Sequence, residues 1–369
     1  MKILHVTKKY PNALGGDAVV VENLQKHQEA DGHQVSILTS NCKSIKTGRH
    51  IYKIGLPDTP QALDHITPRR IMSLVALFFA SFYVLYKERP DVIHSHSIDM
   101  AFVVSFAARL FWTPIIHTFH IVTFYDQNQP FLRRRSEVLL AKAAGLRLIT
   151  APNTHDVDAL HSAGLLQAAV LPNGVDMDFW QPEDSSSQAG DFTFVSVGRL
   201  EKQKGYDILI RASAELAQQR EPNFRIIIAG EGTQRAYLQQ LINEYNLQNA
   251  IRLVGSQSAS QVRKLLSNAN AAIFSSHYET TPITLLEAWA MRLPVVTTSV
   301  GILRDGAKAT HLVYLADAND VTSLALAMRQ CMSNAARRQK VAVAGHEEVQ
   351  KYAWPGITET AETFYASVQ

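Results

Sequence analysis

Short, almost wholly apolar runs recur along this chain, and each is followed by a stretch of helical periodicity. In the first half the runs are Lys2–Thr7, Val35–Thr39, Val92–His96, Pro114–His117, Leu146–Ala151 and Ala169–Leu171. Helical patterns over Ala18–Ala30 and Asp99–Phe111 stand between them. In the second half Phe192–Val197, Phe224–Ala229, Ile251–Val254, Ala271–Ser275 and Pro294–Thr298 repeat the rhythm. Their helices are expected over Tyr206–Gln219, Thr233–Tyr245, Ser260–Asn268 and Pro282–Met291. An apolar run without alternation is a strand covered on both faces, and strands spaced by helices pair in parallel. The chain is therefore read as α/β, with the motif built twice.

The two halves meet at a change of composition. Gln181–Gly190 is rich in Pro, Ser, Gln and acids, which marks a linker. With 369 residues the chain exceeds one comfortable core, so two domains are expected, 1–180 and 181–354. A closing helix, Ile357–Ser367, follows Trp354-Pro355-Gly356; residues 355–369 are expected to cross back onto the first domain. Open parallel sheets bind ligands beyond the carboxyl ends of their strands, so the chemistry belongs in the loops there, facing a central cleft.

Composition removes several classes. The chain is 46% hydrophobic and 19% charged, which opposes disorder. Its two cysteines, Cys42 and Cys331, are far apart and outside any metal-type spacing, which suits a reducing compartment. Met1–Val6 passes straight into strand-like sequence, so a cytoplasmic protein is expected. A net charge of +3 excludes a dedicated nucleic-acid binder, although residues 1–150 hold 18 Lys/Arg against 11 Asp/Glu. Arg69-Arg70, Lys87, Arg89 and Arg133-Arg134-Arg135 stand out. The apolar stretch Ile71–Tyr86 is about 16 residues, short of the ~20 that cross a bilayer, and is expected to lie buried or in an interface. Basic flanks add attraction to anionic lipid.

Two segments carry chemistry. Gly198-Arg199-Leu200-Glu201-Lys202-Gln203-Lys204-Gly205 links a strand to a helix, with glycine at both ends. Arg199 suits a forked grip on phosphate and Lys204 a compact charge, as a leaving diphosphate requires. In His277-Tyr278-Glu279-Thr280-Thr281-Pro282-Ile283-Thr284-Leu285-Leu286-Glu287 two glutamates stand seven residues apart, one in a loop and one in a helix. Pro282 is expected in the first helical turn, whose amides favour anions. Glu287, in a buried helix, needs a partner such as a ribose diol.

With Ala229-Gly230-Glu231-Gly232 and Glu287-Ala288-Trp289-Ala290, these segments resemble glycosyltransferase family 4, of the GT-B fold. Leu171-Pro172-Asn173-Gly174-Val175-Asp176, Gly32-His33-Gln34-Val35, Asp91-Val92-Ile93-His94, Thr118-Phe119-His120, Pro294-Val295-Val296 and Tyr352-Ala353-Trp354 extend the resemblance over nearly the whole chain. It is specific in the order of the motifs rather than in any one. It implies a retaining hexosyltransferase that uses a UDP- or GDP-type sugar and no metal or other cofactor, transferring on the front face to a glycan or lipid-linked acceptor. A cell-envelope role at the inner membrane face would follow. The resemblance places His120, Glu279, Arg199 and Lys204 at the reaction. Arg199 and Lys204 would hold the diphosphate, Glu287 the ribose and Glu279 the sugar. Gly15, Gly16, Glu231, Thr280, Thr281, Pro282, Ile283 and Thr284 would complete the donor site, and His94, His96 and Asp17 the acceptor side. The leaving phosphate itself would take the acceptor's proton.

Thr280-Thr281-Pro282 departs from the small, glycine-rich run common in that family. Pro282 has no N–H to give, so Thr280, Thr281 or Ile283 must donate instead. Asp176-Met177-Asp178 has the letters of a metal motif but sits in the connector. A nicotinamide dehydrogenase would need GxGxxG after the first strand, where this chain has only Gly15-Gly16. An epimerase of related fold or a non-catalytic sugar-nucleotide binder are the further alternatives.

Overall fold

The computed structural model describes residues 1–10, 16–41, 50–54, 68–122, 131–183, 190–218, 223–305 and 309–369. The chain forms two compact units, Met1–Asn173 with Trp354–Gln369, and Gly174–Ala353.

The first unit is built on a seven-stranded sheet. Its strands are β1 (Lys2–Lys9), β2 (Gln34–Asn41), β3 (Ile51–Lys53), β4 (Val92–Ser95), β5 (Ile115–Thr118), β6 (Leu148–Ala151) and β7 (Ala168–Val170). They run parallel in the order β3-β2-β1-β4-β5-β6-β7. Every residue of β4 and β5 is buried, as continuous apolar runs require. The chain reverses its direction of build between β1 and β4, which opens a crevice at their carboxyl ends. Helix α1 (Gly16–Ala30) covers one face and packs on the C-terminal helix Trp354–Val368. Tyr365 and Trp354 of that helix are buried, and His33 Nε2 meets Glu362 Oε1 at 3.1 Å.

Helices α2 (Pro68–Glu88) and α3 (Ile98–Phe111) pack together. Leu77, Val84 and Leu85 of α2 face the core, whereas Met72, Val75, Phe79, Tyr83 and Tyr86 are exposed. Their spacing of three and four residues makes one apolar stripe along the helix. Among the described residues no helix is long and apolar enough to cross a membrane.

The second unit holds β8 (Phe192–Val197), β9 (Phe224–Ala229), β10 (Ile251–Gly255), β11 (Ala271–Phe274), β12 (Val295–Thr298) and β13 (Tyr314–Ala316). The parallel order is β10-β9-β8-β11-β12-β13, with its reversal between β8 and β11. Phe194, Leu209, Ile226 and Ile228 fill one side of the sheet; Val195, Leu286, Trp289 and Val295 fill the other.

Some expectations need correction. The units divide at Asn173/Gly174 rather than at 180/181. Val175 donates its amide to Tyr352 O at 2.8 Å, and Trp180 is buried in the second unit's core, so the connector already belongs there. Of the compositional linker, residues 184–189 lie outside the described residues, as do Cys42 and Gly15. The short edge strands β3 and β13 were not anticipated.

Candidate active site

In the second unit, both chemistry-bearing segments emerge at the reversal point, one after β8 and one after β11. A 3-10 turn, Lys202–Lys204, carries the first segment into Gly205, whose φ is +59°. A Cβ on Gly205 would lie 2.1 Å from the Ser275 carbonyl oxygen, so only glycine lets the loops touch. Gly230 does the same for β9: a Cβ there would lie 1.9 Å from Gly198 O. Polar bonds staple the contact. Ser275 Oγ donates to Lys204 O at 3.0 Å, His277 donates its amide to Gln203 O at 2.9 Å, and Gln203 Nε2 donates to Tyr278 O at 2.9 Å.

This staple brings Lys204 Nζ onto Glu279 Oε1 in a direct ion pair. Ser276 Oγ donates to the same oxygen at 2.9 Å. Arg199 is exposed beside them in sequence. Glu231 is held to the loop by its backbone, its carbonyl accepting from Leu200 N at 2.9 Å, while its carboxylate pairs with Arg235 at 2.9 Å. The Tyr206 hydroxyl is buried, and burial together with the charge of Glu279 raises its pKa. His277 Nε2 approaches Asp207 Oδ1 at 3.8 Å, and the Asp207 carboxyl is held below its usual range chiefly by that imidazole. Neither Ser276 nor Tyr206 was singled out from the sequence; a serine three residues before the first glutamate was the available signal.

Pro282 is not in the first helical turn. It is the N-cap of the helix Ile283–Ala290, with φ −66° and ψ 120°, so the helix opens on the amides of Ile283 and Thr284. Thr280 and Thr281 are buried. Thr280 O accepts from Ile302 N at 3.0 Å, a support from the loop after β12. Glu287 lies in the second turn. Burial raises its carboxyl to about 8, and among the described residues no side chain bonds to it. Its side chain retains some accessible surface, so the acid faces an opening rather than the centre of the core.

The first unit presents a histidine cluster at its own reversal point. His5 of β1 and His94 of β4 are register neighbours, with His96 just beyond. His5 Nδ1 meets His96 Nε2 at 3.0 Å, and His96 Nδ1 meets His120 Nε2 at 3.0 Å. Gln28 Oε1 accepts from His5 Nε2 at 2.8 Å. Burial drives these rings toward neutrality: His5 is pushed down to about 4, His117 to about 3, and His94 and His96 well below the ordinary value. His120 is lowered by burial too, against the charge of Asp17, which stands in the first turn of α1 beside Gly16.

One expected acceptor residue moves. His94 is fully buried, with Nδ1 on Tyr365 Oη at 2.7 Å and Nε2 on Thr118 Oγ1 at 2.7 Å, so it lines no ligand surface. His96 is also buried and bonds only within the cluster, whereas His120 keeps partial exposure. His5, Gln28 and Tyr365 were missed, being separated in sequence from the histidines they meet. His5, His94 and His96 offer nitrogens within 4.8 Å of one another, as a transition metal would need. Each ring nitrogen already has a hydrogen-bond partner, so a metal would have to displace that network. Asp176 Oδ1 accepts from the amides of Asp178 and Phe179, which makes the Asp-Met-Asp segment a self-capped turn.

Two family models match adjacent parts of the chain. "Glycosyltransferase Family 4" covers residues 14–179, and "Glycosyl transferases group 1" covers 180–348. A glycogen synthase of Mycobacterium tuberculosis is 26% identical, across 100% of this chain and 95% of its own. The sucrose-phosphate synthase of Thermosynechococcus elongatus superposes with a TM-score of 0.85 at 20% identity, over 100% of this chain and 99% of that one. HepE of Anabaena, solved with UDP-glucose, superposes at 0.81 and 19% identity, over 99% and 100%.

Proposed function

We propose that this chain, which belongs to glycosyltransferase family 4 and is a glycosyltransferase with a nucleotide-sugar donor, transfers a hexose with retention of configuration. The observation that carries the reading is the meeting of both motif loops at the β8/β11 reversal, with Lys204, Glu279 and the start of the Ile283–Ala290 helix close by. A leaving diphosphate develops charge as the glycosidic bond breaks. Arg199, Lys204 and the amides of Ile283 and Thr284 supply fixed positive ends to meet it. Lys204 is held in place by Glu279, whose second oxygen accepts from sugar hydroxyls. Glu287 takes the ribose diol. UDP-glucose bound to HepE makes UDP-hexose the first donor to try.

His120 of the first unit is a hydrogen-bonding group in the transfer, and the leaving phosphate takes the acceptor's proton. No metal is needed where two cations and a helix start already meet the charge. Gly16 and Asp17 border the acceptor side.

The exposed stripe Met72-Val75-Phe79-Tyr83-Tyr86 supports a lipid-linked, cell-envelope acceptor. Lys87 stands over the Tyr52 and Tyr83 rings at 5.1 and 5.6 Å, so a cation edges the apolar face. Such a face lies in the headgroup region of an anionic membrane, at the cytoplasmic side. The experiment is a thermal-shift screen with UDP, GDP, ADP and their sugars, followed by transfer assays. Stabilisation by none of these would refute the donor site.

A further inference from the structure

We propose that Lys8, Ser97 and His117 form a seat in the first unit for an uncharged hydroxylated ring, a sugar or a cyclitol, and that they select such a ring as acceptor over an anionic one. The binding claim stands on this unit alone; only the role of acceptor rests on the transfer reading given above.

Register and alternation gather these groups. Val6 of β1 pairs with Ser95 of β4, and Ser95 pairs with His117 of β5, so the three side chains share one face of the sheet. Lys8, two residues beyond Val6, falls on the same face at the carboxyl end of β1. On that face Val6 joins Met100 and Val104 of α3 in one core cluster. Ser97 is the N-cap of α3 and Asp99 stands in its first turn. All of them therefore lie beside the crevice that the β1/β4 reversal opens.

The polar members hold one another. Lys8 Nζ meets Asp99 Oδ2 at 2.7 Å. Asp99 Oδ1 accepts from Ser97 Oγ at 2.6 Å and from the Met100 amide at 2.9 Å. Burial alone would raise the Asp99 carboxyl, but the charge of Lys8 and these bonds bring it below its usual range, so it is a carboxylate. The Lys8 and Asp99 side chains are 26% and 18% exposed, which leaves the pair open to a ligand.

The bonding capacity that remains is specific. An ammonium has three N–H groups, and among the described residues the Lys8 ammonium meets only Asp99. The Ser97 hydroxyl gives its proton to Asp99 and keeps its lone pairs. His117 is fully buried, and its ring bonds to the Ser95 backbone in a way that favours the protonated ring, as a bond to a carbonyl oxygen does. Nδ1 is the ring nitrogen with no partner among the described residues, so Nε2 makes that bond and carries the proton. Burial keeps the ring neutral, and Nδ1 is left as a bare acceptor. An unmet acceptor in a buried place costs stability, which a binding role accounts for. The Asp99 charge acts on this ring, so the two groups are close.

Such a set matches hydroxyls. One ring hydroxyl accepts from Lys8 while it donates to Ser97 Oγ, and its neighbour donates to His117 Nδ1. A phosphate or carboxylate ligand would gain from Lys8 alone and would meet the Asp99 carboxylate and two sets of lone pairs, which is a repulsive element against anions.

The test is ligand-observed NMR, with nitrogen-15 NMR of histidine-labelled full-length protein, both without donor. The probes are methyl α-D-glucoside, myo-inositol and octyl β-D-glucoside below its micellar concentration, with inorganic phosphate as the anionic comparison. At least one ring should bind with a Kd on the order of millimolar, shift the His117 Nδ1 signal and resist displacement by phosphate. Tighter binding of the octyl than of the methyl glucoside assigns the ring to a lipid headgroup, and equal binding assigns it to a free glycan; both support the seat. Lys8→Met and His117→Phe should each weaken ring binding about fivefold, the worth of one hydrogen bond. His117→Phe keeps the buried bulk and removes the unmet nitrogen, so the fold is retained. Unchanged ring binding in both folded variants overturns the inference, as does phosphate binding in preference to every ring, or no ring binding at about 50 mM. In kinetics with a bound ring as acceptor, Lys8→Met should raise the acceptor KM and leave the donor KM unchanged. A wild type that binds a ring but transfers nothing to it supports the seat and counts against the proposed function.

Discussion

Glu287→Gln tests the buried acid directly. Burial raises the Glu287 carboxyl from 4.5 to about 8, so at neutral pH the folded unit holds this group protonated while the unfolded chain ionises it. A folded pKa above the unfolded one gives stability that is complete below about 4.5 and is lost as pH rises through about 8. At 1.36 kcal/mol per unit the ceiling is about 5 kcal/mol. The side chain keeps some accessible surface, and solvent screening trims the effect. Between pH 5 and 7 a loss of about 1–2 kcal/mol is expected from this group alone. For a unit of this size that is roughly 3–6 °C in melting midpoint. The assay is calorimetry of both proteins across pH 5–8, read as the difference between them, which cancels groups they share. The wild type should lose ground to Glu287→Gln as pH rises. Parallel curves would refute the burial argument. Nucleotide binding adds a second reading. A ribose diol donating two hydrogen bonds favours the carboxylate, so UDP should release close to one proton at pH 7. Titration calorimetry in buffers of different ionisation enthalpy measures this, and Glu287→Gln should release none. Binding without proton release would remove Glu287 from the ribose.

Lys204→Met should reduce kcat on the order of 10²-fold, since it deletes a charge met mainly in the transition state. Because Lys204 and Glu279 bond to each other, the double variant with Glu279→Gln should lose less than the product of the single losses; a fully multiplicative result in steady-state kinetics would show that they act separately. Gly205→Ala forces a Cβ to within 2.1 Å of Ser275 O at φ +59° and should destabilise the second unit by roughly 2–4 kcal/mol in urea, with a loss below about 0.5 contradicting the loop contact. The wild type should float with anionic liposomes at low salt and Phe79→Asp should not, Phe79 being 68% exposed on α2; a wild type that stays at the bottom sinks the membrane proposal.

The parts of the fold legible in the sequence are those whose cause is local. β4 and β5 are buried on both faces, so their apolar runs had no other reading. β3 and β13 have three residues each, too few for any period to show, and gain strand geometry only by pairing with a neighbour. Pro282 fell one position out for a related reason. A φ of −66° suits both the N-cap and the first turn, and only its ψ of 120°, set by the loop before it, separates the two.

The site divides along the same line. Arg199, Lys204, Glu279 and Glu287 stood out because charge beside a strand end or inside an apolar helix is conspicuous without knowing any partner. His94 was conspicuous for the same reason and was misplaced, because a strand-end histidine reads alike whether it opens to a ligand or bonds to Tyr365, 271 residues away. His5 went unnoticed as an interior strand residue, though it bonds to both Gln28 and His96. Charge state was least legible of all. Nothing local to Leu285-Leu286-Glu287 says that the acid is protonated; that follows from its burial in the folded unit.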